Sequence, residues 1–151
     1  SDVCSSDLDN FCRVIGRLAR TRDEIAVVTD QRGSPTWART LARVIRQLIE
    51  EHGARILDAR GLLHIAGAGA ATRFELAQVV VDSLRQRFGE SSIRARRLRP
   101  ARTTEFPAPA VRPANSALDC GKLYASFDIG LPPWQDEVAQ FVATSPESIW
   151  A

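Results

Sequence analysis

At 151 residues the chain has the length of one domain, enough to bury a core of its own. Its 44% hydrophobic and 25% charged content is that of an ordinary soluble globular protein and excludes a disordered or fibrous chain. No apolar run approaches the ~18 residues of a membrane span, no signal-peptide core opens the chain, and a net charge of +2 is too small to imply a polyanionic partner.

In chain order, the opening "SDVCSSDL" (1–8) is polar and without period, and reads as a non-native or disordered segment. Phe11, Val14, Ile15 and Leu18 fall at helical spacing and predict a helix over 10–21. "EIAVV" (24–28) predicts a short buried strand, ended by the turn "TDQRGSP". Trp37, Leu41, Val44, Ile45, Leu48 and Ile49 then form the apolar stripe of a long helix. Ser34 suits its N-cap, Pro35 its first position and Gly53 its stop. "GLLHIAG" (61–67) predicts a second buried strand. The helix after it carries Ala77, Val80, Val81, Leu84 and Phe88 on one face, with Gly89 closing it. "SSIRARRLRP" (91–100) predicts a third, edge-like strand whose arginines form a solvated edge. Four prolines between Pro100 and Pro113 predict an extended, ordered surface loop. Short helices are expected over 120–127 and 134–142. Helices alternating with strands, with no repeat or linker between them, predict one α/β unit.

"HIAGAGAATRFELA" (64–77) has the look of a dinucleotide-binding turn, an apolar run leading into G-x-G and then a helix. The fingerprint requires a third small residue, and here that position is Thr72. Thr72 also opens a capping box with Glu75, which starts the helix after the glycines rather than within them. About twenty residues on, where an acidic residue would hold the ribose, stand Arg94, Arg96 and Arg97. The pattern is that of a strand-to-helix turn built from small residues.

Cys4, Cys12 and Cys120 have neither metal-ligand nor C-x-x-C spacing, and reduced thiols in a cytoplasmic protein are expected. Methionine is absent, so residue 1 is not a translation start, and the chain is expected to be a piece of a longer protein. "TDQRGSPTWARTLA" combines a strand end, a polar turn and a helix N-terminus, a place where α/β proteins bind anionic ligands. Gln31, Ser34 and Thr36 can offer hydrogen bonds there; equally, Gln31 and Gly33 can simply shape the turn and Thr36 cap the helix. In "APAVRPANSALDCGKL", Pro113 stiffens the backbone beside Arg112, with Asn115 and Ser116 following. A guanidinium held in this way suits a phosphate or diphosphate, and a plain surface arginine is the alternative.

"VVTDQRGSPTWARTLA", "GLLHIAGAGAATRFELAQ", "RPANSALD" and "LPPWQDEV" follow one another with the order and spacing of the dTDP-4-dehydrorhamnose reductase family, a branch of the extended short-chain dehydrogenases, which the chain resembles from Asp9 to Val142. The resemblance implies the C-terminal half of such a protein: an incomplete Rossmann-type sheet with a small substrate-binding region over 9–143, and a tail over 144–151. It implies reduction of dTDP-4-dehydro-L-rhamnose by NADPH to dTDP-L-rhamnose. NADPH would be held mainly by the N-terminal half, which in the family carries the cofactor fingerprint and a Tyr-x-x-x-Lys pair; Mg2+ and a homodimer are further expectations. The implied substrate-binding set is Gln31, Gly33, Ser34, Pro35 and Thr36 with Arg112, Asn115 and Ser116. No catalytic, cofactor-binding or metal-ligating residue is expected here, because Lys122 and Tyr124 are in the wrong order and His52 and His64 read as structural. By itself the chain is expected to be inactive. The arginine-rich "RARRLRPAR" departs from the family pattern. A non-catalytic binding relative of the same fold, and a small basic nucleic-acid-binding domain using Arg94, Arg96, Arg97, Arg99 and Arg102, are the competing readings.

Overall fold

The computed structural model describes residues 10–106 and 110–150, so the expectation for residues 1–8 lies outside the described residues. The helices are α1 (Phe11–Thr21), α2 (Ala38–Asp58), α3 (Arg73–Phe88), α4 (Gly121–Phe127) and α5 (Trp134–Thr144). The strands are β1 (Glu24–Val28), β2 (Arg32–Gly33), β3 (Ala71–Thr72), β4 (Arg97–Ala101) and β5 (Asn115–Ser116). The architecture is α/β, as the alternation of elements predicts, with two small sheets. β1 and β4 pair in parallel, Ile25 opposite Leu98, and β2 is the middle strand of the order β3-β2-β5.

The main core lies on one face of the β1–β4 pair. Alternation along β1 turns Ile25 and Val27 inward, against Ile15 and Ala19 of α1 and Ala77, Val80, Val81 and Leu84 of α3. The expected apolar face of α3 is therefore the one it buries. Thr72 accepts from the Glu75 N–H at 3.1 Å, Glu75 accepts from the Thr72 N–H at 2.7 Å, and Gly89 closes the helix at φ +84°. The two Thr72 donors, backbone first and hydroxyl second, hold the Glu75 carboxyl below its usual range. Such a group stabilises the fold above its unfolded value of about 4.3, and that contribution is lost as pH falls through the lower folded value. Thr72→Ala is thus expected to cost about 1 kcal/mol at pH 7. The difference from wild type should shrink as pH is lowered from 7 to about 3, as Glu75 begins to take up its proton. Urea titrations of both proteins at the two pH values check this.

Beyond β2 the chain departs from expectation in five places. α2 starts at Ala38, with Trp37 at the cap and no side-chain cap bond, because Ser34 is spent accepting from the Leu118 N–H at 3.0 Å. Gly53 does not stop α2; the helix runs on to Asp58, where Arg55 donates to the Ser126 carbonyl and lies 5.7 Å from the Phe127 ring. "GLLHIAG" forms no strand among the described residues. Leu63 and Ile65 instead pack on a second apolar cluster of Val44, Leu48, Leu123, Phe127, Ile129 and Leu131, and only Ala68 bridges, to Pro133. Leu63 and Ile65 are half-buried there, while Leu62 is exposed. The third strand is shorter than expected, and the loop from Pro100 contains a helical turn at Thr103–Glu105, with 107–109 outside the described residues.

The arginines around β4 are paired rather than merely solvated. Arg94 grips Asp23 with two bonds of 3.0 Å, Arg97 and Arg99 reach Glu24, and Arg99 also meets Glu105. The segment expected as a tail is packed: Trp150 is completely buried at the end of a last helical turn (Glu147–Trp150). Among the described residues no helix is long and apolar enough to cross a membrane.

Candidate functional site

Two-residue strands bring three distant stretches together. β2 runs antiparallel to β3, Arg32 opposite Thr72 and Gly33 opposite Ala71; it runs parallel to β5, Arg32 opposite Asn115 and Gly33 opposite Ser116. The Arg32 N–H donates to the Ala114 carbonyl at 2.8 Å, and the Ser116 hydroxyl donates to the Arg32 carbonyl at 3.2 Å. A Cβ on Gly33 would meet the Ser116 hydroxyl at 3.2 Å, so glycine lets the strands close. Above this small sheet opens a cleft of about 450 Å³.

Gln31, Gly33, Ser34, Pro35, Arg112 and Ser116, all expected from the sequence, line this cleft. Thr36 and Asn115 do not line it. The Thr36 hydroxyl accepts from the Gly67 N–H at 3.0 Å and donates to the Ser34 carbonyl, and the Asn115 amide oxygen accepts from the Ala117 N–H to form a turn. Thr36 therefore splices the turn to the glycine segment rather than capping α2. Gln31 is also occupied: its amide N–H donates to the Thr103 hydroxyl at 3.0 Å, and its amide oxygen accepts from Arg73 Nε at 3.4 Å. These polar groups brace the cleft more than they face it.

The sequence reading missed Arg73, the first residue of α3, which lines the same cleft as Arg112. Its guanidinium stacks 5.0 Å from the Phe11 ring, and burial, then the Arg112 charge, lower its pKa. A signal was present in the sequence, because a cation in the first turn of a helix opposes the helix dipole and needs a reason to be there. No acidic side chain lines the cleft, and among the described residues no carboxylate pairs with Arg73 or Arg112. What the site offers is three arginines on a braced backbone: Arg32, which donates to the Ala70 carbonyl, and Arg73 and Arg112, which have no counter-charge. That arrangement suits an anion with several oxygens.

The glycine turn is packed against the protein itself. A Cβ on Gly67 would lie 2.4 Å from the Pro35 carbonyl oxygen, and Gly69, at φ +88°, has Trp134 beside it. Both glycines are thus required by close protein neighbours, and Thr72 stands where the cofactor fingerprint has a third small residue, so these residues do not fit it. Lys122 donates to the Arg60 and Leu62 carbonyls, while Tyr124 is exposed. His52 lies within α2 against Phe127, and His64, in the unpaired segment, sits 3.2 Å from the Asp119 carbonyl. Among the described residues no group of three His, Cys, Asp or Glu could hold a metal ion. Cys12 and Cys120 are free thiols, and burial pushes Cys12 up to about 11.

The chain is similar in sequence and fold to known proteins. The chain is 36% identical over 130 residues to the dTDP-4-dehydrorhamnose reductase of Burkholderia thailandensis, covering 83% of this chain and 43% of that protein. It is 34% identical over 131 residues to that of Escherichia coli K12, covering 84% and 42%. The chain thus spans less than half the length of the relatives it matches. A crystal structure of the Bacillus anthracis dTDP-4-dehydrorhamnose reductase in complex with NADP superposes with a TM-score of 0.73 at 28% identity, covering 91% of this chain and 44% of that one. The Clostridium acetobutylicum reductase structure gives the same TM-score of 0.73 at 29% identity. The model of the RmlD substrate binding domain matches residues 1–146. With family model, fold and relatives in agreement, the chain belongs to the RmlD substrate-binding-domain family of dTDP-4-dehydrorhamnose reductases.

Proposed function

We propose that this chain supplies the nucleotide-sugar-binding half of an NADPH-dependent dTDP-4-dehydrorhamnose reductase, which converts dTDP-4-dehydro-L-rhamnose to dTDP-L-rhamnose. The observation that carries this reading is the cleft above β2, where Arg112 and Arg73 stand without a carboxylate. In this reading Arg112 binds the diphosphate, while Gln31, Gly33, Ser34 and Pro35 shape the wall beside it with Ser116. Thr36 and Asn115 hold that wall in place. NADPH binds mainly outside these residues, and no Mg2+ ligand is assigned. The reading extends to a cytoplasmic, homodimeric enzyme.

Isothermal titration of dTDP into the 151-residue chain tests the binding role. Saturable binding that weakens with salt and far exceeds thymidine binding is expected; no dTDP binding overturns the reading. A second expectation concerns chemistry. The 151 residues contain no Tyr-x-x-x-Lys, and the glycine turn has Thr72 in place of the fingerprint's third small residue. The chain alone should therefore not oxidise NADPH in the presence of dTDP-4-dehydrorhamnose, and turnover above the no-protein rate would sink the assignment of catalysis to other residues. A non-catalytic relative would bind dTDP equally well. Expressing this chain within a full-length gene that encodes Tyr-x-x-x-Lys separates the two by activity. The nucleic-acid reading loses support because Arg94, Arg97 and Arg99 are already paired with carboxylates.

A further inference from the structure

We propose that Arg73 is a second anion-binding residue of the cleft, held beside Arg112 by a hydrogen-bonded relay from Asp30 through Thr103 and Gln31. The proposal rests on the diphosphate reading above and adds to it a residue and a positioning device. The direction of every bond in the relay is fixed by chemistry. Asp30, an ionised carboxylate, can only accept, and takes the Thr103 hydroxyl at 2.6 Å and the Thr103 N–H at 3.0 Å. The Thr103 oxygen then has only lone pairs left, so Gln31 must turn its amide N–H toward it, at 3.0 Å. That orientation leaves the Gln31 amide oxygen facing Arg73 Nε at 3.4 Å, while the Gln31 carbonyl accepts from the Arg73 N–H at 3.2 Å. Thr103 also draws the Asp30 carboxyl below its usual range, so the relay is anchored on a fixed negative charge at neutral pH.

Gln31 thus occupies Nε of Arg73, and among the described residues neither terminal nitrogen has a protein acceptor. The position is otherwise unfavourable for a cation. Arg73 is half-buried, begins a helix, and feels the like charge of Arg112. Each of these costs is reversed by an anion placed between the two guanidinium groups. A diphosphate, with oxygens on two phosphorus atoms, can meet two arginine forks at once.

The test is titration of dTDP, dTMP and inorganic pyrophosphate into the 151-residue chain and its variants. Arg73→Ala is expected to weaken dTDP about tenfold or more. dTMP should lose less, and Arg73→Lys should restore under half of the loss in binding energy because lysine has no fork. Gln31→Ala should weaken dTDP several-fold in the wild-type background and leave its affinity unchanged in Arg73→Ala. A Gln31→Ala effect that persists in Arg73→Ala overturns the relay, since a merely structural glutamine acts without Arg73. Unaltered dTDP affinity in Arg73→Ala, with Arg112→Ala impaired, overturns the proposal and leaves the diphosphate reading standing. Failure of the wild-type chain to bind dTDP overturns both. Should Arg73→Ala lose its cooperative melt, Arg73→Gln, neutral and of similar length, is read in its place against the same outcomes.

Discussion

Arg112→Ala is expected to weaken dTDP binding by roughly ten- to a hundredfold while leaving the melting temperature of the chain almost unchanged. The separation of the two readouts follows from the surroundings of this residue. Arg112 is exposed, and no bond to it holds the fold together among the described residues, so its loss leaves no buried group unpaired. Its backbone, however, is fixed. Pro113 restricts the chain on one side, and Ala114 and Ser116 are tied to Arg32 on the small sheet just beyond. The guanidinium is therefore presented over the cleft with little backbone entropy left to lose on binding. Charge-assisted hydrogen bonds contribute about 1.5–3 kcal/mol each, and about 1.4 kcal/mol is tenfold in affinity, which sets the range. Arg112→Lys should recover only part, because a single ammonium cannot grip two oxygens in parallel. In a complete reductase the same change should appear as a raised sugar-nucleotide KM with kcat and NADPH affinity held, provided the contact is equal in ground and transition states. Unaltered dTDP affinity in Arg112→Ala removes the diphosphate role from this residue.

How much of this was legible in the sequence differs from element to element, for physical reasons. The capping box at Thr72 and the buried faces of α1 and α3 follow local rules, and those rules held. Gly53 misled because α4 contacts the last turn of α2, and such long-range contacts override a weak local stop. "GLLHIAG" misled because a short apolar run does not by itself distinguish a strand from an unpaired segment that lays Leu63 and Ile65 on a neighbouring cluster. The small sheet at the site could not be read at all: strands of two residues have no period. Its consequence was partly visible, since the two stretches singled out for their polar residues are the ones that β2 and β5 bring together. The polar residues were found, but several of their roles were not. Gln31 is turned toward Thr103 and Arg73, and that depends on Asp30 and Thr103 lying 73 residues apart.

Trp150→Ala should be the most destabilising single change, at about 3–5 kcal/mol. Near the end of the sequence, beyond the last helical period, nothing marks this residue as core. Yet it is fully buried, its ring sits 5.4 Å from Phe141 in a T-shaped pair, and α1 makes room for it with a glycine. A Cβ on Gly16 would lie 2.5 Å from the Trp150 ring and 3.4 Å from Leu84, so ring and helix backbone are in direct contact. Removing the indole opens a cavity between α1, α3 and α5 that rigid helices cannot close. At about 2–4 °C per kcal/mol for a chain of this size, the melting temperature should fall by roughly 6–20 °C. Trp150→Phe separates packing from polarity. The indole N–H is buried with no partner among the described residues, and an orphan donor costs about 1–3 kcal/mol, so phenylalanine should lose well under half of what alanine loses. Gly16→Ala should destabilise by pushing the ring out. In the Trp150→Ala background the added methyl enters the vacated space, and its cost should vanish or change sign. Thermal melts of the four proteins in that cycle decide the matter: losses that simply add would mean that Gly16 and Trp150 do not touch.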